Sequence, residues 1–92
     1  IGVDSDQYSL GELGDGTSCI LTSAIKNVSL VAYRNALDYI AGNFPGGEIK
    51  YHGVNNGGMG IPENNPNLSD ETLRSLEEVI RKISEGELIV RE

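Results

Sequence analysis

The sequence predicts an α/β fold of order β-β-α-β-α-β, with mostly parallel strands. Three observations carry this reading. Short apolar runs at Ile1–Val3 and Cys19–Ile25 each give way to polar or charged residues, as strands do at their ends. From Asn27 the apolar period changes to i, i+3/i+4, the signature of an amphipathic helix. After a connector dense in Gly, Asn and Pro, a second helical period begins at Ser69.

Taken in order, Ile1–Val3 forms a strand that stops on Asp4-Ser5-Asp6-Gln7, and Tyr8–Ser18, with Gly11, Gly14 and Gly16, forms an irregular loop. Cys19–Ile25 reads as a strand buried on both faces, with Cys19 as a small buried hydrophobe. In the first helix Val28, Val31, Ala32, Tyr39 and Ile40 share a face, widened by Leu30, Leu37 and Phe44, a stripe broad enough to pack on a sheet. Asn27 or Ser29 caps its start, Gly42 ends it and Pro45 blocks continuation. Glu48–Val54 alternates in strand fashion, and Asn55–Asn67 is a connector of turn-forming residues. Ser69 caps the second helix, with Asp70 and Glu71 in its first turn, Arg81 and Lys82 near its end, and Gly86 beyond it. Glu87–Val90 is expected to add a short terminal strand.

Composition narrows the function classes. The 92 residues carry 14 acidic and 7 basic side chains, a formal charge of −7. That balance opposes a nucleic-acid grip, which needs clustered Lys and Arg, and opposes binding to an anionic membrane surface. No run approaches about 18 apolar residues, so no membrane span is expected. With one cysteine and one histidine there is no internal disulfide, and no metal site or cofactor is expected. The glycines fit neither a phosphate loop nor a dinucleotide fingerprint. No Ser/His/Asp set surrounds His52, so the chain does not read as an enzyme. Hydrophobic content of 38% with five aromatic residues is lean for a self-sufficient domain of this size. The apolar start at Ile1 reads as the beginning of a piece of something larger.

Two residues are candidates for a binding site. Asp4 closes the first strand, and ligands of open parallel sheets bind outside the strands' carboxyl ends. An ionised carboxylate there can accept both hydroxyls of a vicinal diol; equally, Asp4 or Asp6 can simply cap a turn. Lys26 closes the second strand and offers three donors to a ligand. Its bland alternative is a plain ion pair with Asp4.

Four blocks stand out around these residues and beyond: Gly2-Val3-Asp4-Ser5-Asp6-Gln7, Leu21-Thr22-Ser23-Ala24-Ile25-Lys26-Asn27-Val28, Gly57-Gly58-Met59-Gly60-Ile61 and Ser84-Glu85-Gly86-Glu87-Leu88. In this order they resemble the C-terminal part of the basic membrane lipoprotein family, the purine-nucleoside-receptor-like substrate-binding proteins of bacterial ABC importers. The resemblance implies a partial type I periplasmic-binding-protein fold, in which two α/β lobes enclose a ligand. It assigns Asp4 to ribose hydroxyls and Lys26 to a further ligand contact, and leaves Ser5, Asp6 and Gln7 without a role. It also implies that residues 1–46 belong to the second lobe. Residues 47–92 would supply a crossover strand, a connector and a helix packing towards the first lobe. The expected partners are a nucleoside of the purine class, an ABC permease and the N-terminal lobe of the same protein. The expected location is extracytoplasmic, through an N-terminal lipid that this chain does not carry. The isolated chain is expected to be marginal or to self-associate. A ligand-sensing regulatory domain of the same fold is the alternative.

Overall fold

A computed structural model of the chain describes residues 1–91. Two short strands, β1 (Gly2–Asp4) and β2 (Ser23–Lys26), precede helix α1 (Val28–Ile40). A two-residue strand, β3 (Met59–Gly60), and helix α2 (Asp70–Ser84) follow. Single 3-10 turns lie at Tyr8–Gly11 and Val54–Asn56. The sheet has the order β1-β2-β3. β1 and β2 run parallel, with Gly2 opposite Ser23 and Asp4 opposite Ile25; β3 is antiparallel to β2, with Met59 opposite Lys26.

The parallel pair is built around a polar seam. Ser23 is completely buried, and its hydroxyl accepts from the Gln7 amide at 3.1 Å. The Gln7 side chain turns back to accept from Val3 N–H at 3.4 Å. Gly2 fits against both: a Cβ added there would lie 2.9 Å from Gln7 Cβ and nearer still to the Ser23 hydroxyl. A side chain at position 2 would therefore push β1 off β2.

The strand expectations need correction at three places. The run Cys19–Thr22 does not extend β2, because side chains of the later connector take its polar groups. Asn67 donates to the carbonyls of Ser18 and Ile20 at 3.0 and 2.8 Å, and Thr22 Oγ1 donates to Asn65 Oδ1 at 2.7 Å. Cys19 is consequently exposed rather than buried. Glu48–Val54 forms no strand. The Gly53 carbonyl accepts from the amides of Asn56, Gly58 and Met59, which folds this segment on itself, and the third strand is Met59–Gly60 instead. Glu87–Val90 forms no strand either, since the amides of Glu87 and Leu88 both donate to the Lys82 carbonyl at the end of α2. Among the described residues the order is thus β-β-α-β-α, with one parallel and one antiparallel pairing.

The helices follow their sequence signals closely. Ser69 Oγ accepts from Thr72 N–H at 3.2 Å, a side-chain cap on α2. Asp70 and Glu71 occupy its first turn and Arg81 and Lys82 its last, matching the helix dipole. Both helices end in Schellman motifs on left-handed glycines. Gly42 has φ 78° and Gly86 φ 77°, with Asn43 N–H donating to Asp38 and Glu87 N–H to Lys82. On the solvent side of α2, Lys82 lies 2.9 Å from Glu78 and its hydrogen bond holds the Glu78 carboxyl below its usual pKa.

The stripe on α1 does not find a sheet. Among the described residues no apolar side chain is fully buried. Tyr39 and Ile40 are 73% and 80% exposed, and Phe44, at the edge of Tyr39, is 57% exposed. The radius of gyration is 16.1 Å, against about 12 Å for a compact domain of this length. Among the described residues no helix is long and apolar enough to cross a membrane.

The Gly2–Ser23 contact yields a stability prediction. Replacing Gly2 with Ala should cost about 1–3 kcal/mol, the range for overpacking. In urea unfolding the midpoint should fall; an unchanged midpoint would show that β1 can shift without loss.

Candidate functional site

Asp4 and Lys26 converge at the carboxyl ends of the parallel strands. Adjacent register places Asp4 opposite Ile25, one residue from Lys26, and the Lys26 ammonium lies 2.8 Å from Asp4 Oδ1. Asp4 is the one non-glycine residue with positive φ (77°) among those described. Asp tolerates this left-handed conformation better than most residues, and it turns the chain away from β1 directly at the carboxylate. The pair remains open to solvent, with Lys26 55% and Asp4 66% exposed. As a surface ion pair it contributes about 0–1 kcal/mol. Fold stability is therefore a weak reason for holding both groups here.

An open depression of about 480 Å³ lies beside the pair, lined by Asp4, Ser5, Asp6, Lys26 and Ser29 among others. The neighbours of Asp4 are committed to local structure. Asp6 Oδ1 accepts from Tyr8 N–H at 3.1 Å, a turn-capping role, and Gln7 braces the β1–β2 seam. Asp4 keeps free acceptor capacity, because an ionised carboxylate offers about four lone-pair sites and Lys26 occupies one oxygen. Lys26 in turn has donors beyond the one directed at Asp4.

Lys26 also lines a second, smaller pocket of about 270 Å³, walled with it by Asn27, Val31, His52, Gly58 and Met59. Asn27 shapes it. The residue sits at the N-cap position of α1, yet its side chain makes no cap bond. Its Nδ2 donates instead to the Gly57 carbonyl at 2.6 Å, while its backbone N–H donates to the Gly58 carbonyl at 2.9 Å. Arg34 on α1 adds a hydrogen bond to the Asn56 carbonyl. Within the loop, Asn56 Oδ1 accepts from Gly53 and Gly58 amides, each at 3.1 Å. Gly58 is required for the fit: a Cβ there would meet the His52 Cβ at 2.6 Å. His52 Nδ1 is buried in this wall with no hydrogen-bond partner among the described residues. An unpaired buried polar atom costs about 1–3 kcal/mol.

Sequence reasoning brought out Asp4 and Lys26 and missed Asn27 and His52 as site-shaping residues. The signal for Asn27 was its place between a strand-end lysine and a helix, where a cap was the simpler expectation. His52 lay in a segment read as a strand, which hid its approach to Gly58. Cys19 lines neither of the two hollows. No group of three or more His, Cys, Asp or Glu among the described residues is placed to hold a metal ion.

Comparison with known proteins matches the chain, over residues 1–92, to the profile of the family Bmp, described as ABC transporter substrate-binding protein PnrA-like. Two curated relatives carry the printed name CD4+ T-cell-stimulating antigen. One is from Listeria monocytogenes serovar 1/2a and one from Listeria innocua serovar 6a. Each is 35% identical over 96 aligned positions, which take in 100% of this chain and 27% of the relative. The chain thus spans about a quarter of the length of the curated relatives it matches.

The tie between Asn27 and the glycine loop can be cut alone. Asn27→Ala should cost about 0.5–1.5 kcal/mol, the worth of one hydrogen bond, and should speed amide exchange at position 27, whose N–H is held by Gly58. Exchange at the wild-type rate would show that the loop keeps its place without the side chain.

Proposed function

The chain belongs to the Bmp family of PnrA-like ABC transporter substrate-binding proteins, and from that premise we propose that it is the C-terminal part of a solute-binding lipoprotein that captures a nucleoside for import. The observation that carries the reading is the meeting of Asp4 and Lys26 at the ends of two parallel strands, where open α/β sheets take their ligands. Residues 1–46 form part of one lobe. Residues 47–92 reach towards the other lobe, supplied by the rest of the protein. The uncovered apolar side chains of α1 and the extended shape support a chain that finishes its packing against such a neighbour. Self-association of the isolated chain follows from the same uncovered surface.

The mechanism is capture without chemistry, by a binding protein rather than an enzyme. Lys26 neutralises Asp4 while the site stands open. When a ribose enters, the two hydroxyls of its diol donate to the carboxylate, and Lys26 retains one donor on Asp4 and turns another to a ligand acceptor. Closure of the second lobe removes water, which strengthens each of these bonds. A deoxyribose leaves Asp4 partly unpaired in a dry site and is rejected for that reason. The purine class of the nucleoside is carried by the family resemblance of the blocks around Asp4 and Lys26. Delivery is to an ABC permease, outside the cytoplasmic membrane, with an N-terminal lipid as the anchor. A ligand-sensing regulatory role is the less favoured reading, because the matched family is one of transport.

Calorimetry on the full-length protein tests the site. Asp4→Asn suits the left-handed backbone, removes the charge and turns one acceptor oxygen into a donor, so it should weaken purine-nucleoside binding by about 1.5–3 kcal/mol, the worth of hydrogen bonds to a charged group. Unchanged affinity would remove Asp4 from the site.

A further inference from the structure

Asn56-Gly57 is the sole Asn-Gly pair in the sequence, and this is the pairing in which asparagine is chemically most labile. The amide nitrogen of the following residue can attack the Asn Cγ, expel ammonia and close a succinimide ring. Glycine, with no Cβ, leaves that nitrogen unshielded. Here the folded loop withholds each group the reaction needs. The Asn56 carboxamide is spread over three backbone groups: Oδ1 accepts from the amides of Gly53 and Gly58, and Nδ2 donates to the Tyr51 carbonyl, each at 3.1 Å. The peptide between Asn56 and Gly57 is fixed at both ends, its carbonyl by Arg34 and its N–H by the Val54 carbonyl at 3.2 Å. The Gly57 carbonyl in turn accepts from Asn27 Nδ2 at 2.6 Å. Two of these holds, Asn27 and Arg34, belong to α1 and its cap position, so the loop is kept closed by its docking on that helix.

We propose that Asn56-Gly57 is a deamidation site gated by the docking of the glycine loop on α1. When Asn27 and Arg34 let go, the Gly57 amide gives its proton to solvent base and its nitrogen bonds to Asn56 Cγ. The Cγ–Nδ2 bond breaks, and the nitrogen takes up a proton and leaves as ammonia. Water then opens the ring at either carbonyl, giving aspartate or isoaspartate. The balance is one water in and one ammonia out, with no oxidant, metal or second enzyme. Neither product restores the loop. Aspartate sets an oxygen where Nδ2 met the Tyr51 carbonyl, and isoaspartate adds a methylene to the main chain and carries the Gly57 N–H away from Val54. Met59 and Gly60, which pair with Lys26 and Ile25 directly after the loop, then lose their anchor, so the change is a permanent mark of one opening. Asp15-Gly16 offers the same ring closure but is disarmed differently. The Thr17 hydroxyl and amide both donate to Asp15 Oδ1 and hold its carboxyl below the usual range, and an ionised carboxylate resists attack.

Peptide mapping by mass spectrometry, on full-length protein aged in mildly alkaline buffer, tests the gate. Aspartate and isoaspartate at position 56 should form more slowly in the folded protein than in the same protein held unfolded in urea; equal rates would overturn the proposal. Asn27→Ala and Arg34→Ala should each raise the folded-state rate about two- to tenfold, the factor by which one lost hydrogen bond enlarges the open population. Wild-type rates in both variants would overturn the gate. Product that maps to other asparagines while Asn56 stays intact in urea would overturn the site itself. Arg34 is exposed, so Arg34→Ala leaves the packing in place and decides alone should Asn27→Ala unfold. No nucleoside enters the measurement, and its failure leaves the capture reading standing.

Discussion

The close approach of Gly2 to Ser23 is the contact on which the rest of this structure depends. It lets β1 lie beside β2 in parallel register, buries the Ser23 hydroxyl completely and gives the Gln7 amide its acceptor. The register then decides where the strands end. With Gly2 opposite Ser23, Asp4 and Lys26 finish side by side. A slip of one residue would turn the side chains of β1 to the opposite face and part the two charges. A position with no side chain and a serine with a satisfied hydroxyl thus do what apolar packing does in most sheets.

Polar side chains carry an unusual share of the remaining tertiary structure. Asn27 and Asn56 hold the glycine loop, while Asn65 and Asn67 hold the segment before β2. Each offers both donor and acceptor from one short amide, which lets a chain with no fully buried apolar residue among those described keep its loops in place. The apolar residues are present but turned outward along α1 and the segment after α2. The described fold is consequently a scaffold for two strand ends and one loop.

The helices were legible because their signals are local. Ser69 at the cap, acidic residues in the first turn, and Gly42 and Gly86 past the ends each act within about one turn of the residue concerned. The strands were less so. Alternation in Glu48–Val54 and the apolar run at Cys19–Thr22 describe what these segments can do if an edge is free to receive them. In the folded chain their carbonyls and hydroxyls are taken by Asn67, by Asn65 and by amides of the loop itself. Met59–Gly60 pairs with β2 although nothing in its composition marks a strand, because the tie through Asn27 brings it alongside.

The sequence by itself determined the α/β class, both helices with their ends, and the two charged residues at the strand termini, since each rests on residue type and near-neighbour spacing. Only the tertiary structure decided that Asp4 adopts a left-handed backbone and pairs with Lys26, and that Asn27 serves the glycine loop instead of its own helix. It also decided that His52 Nδ1 is buried near Lys26 with no hydrogen-bond partner among the described residues. These features join residues some 22 to 30 positions apart, and such contacts depend on which backbone groups are already satisfied elsewhere, a condition that no local pattern records.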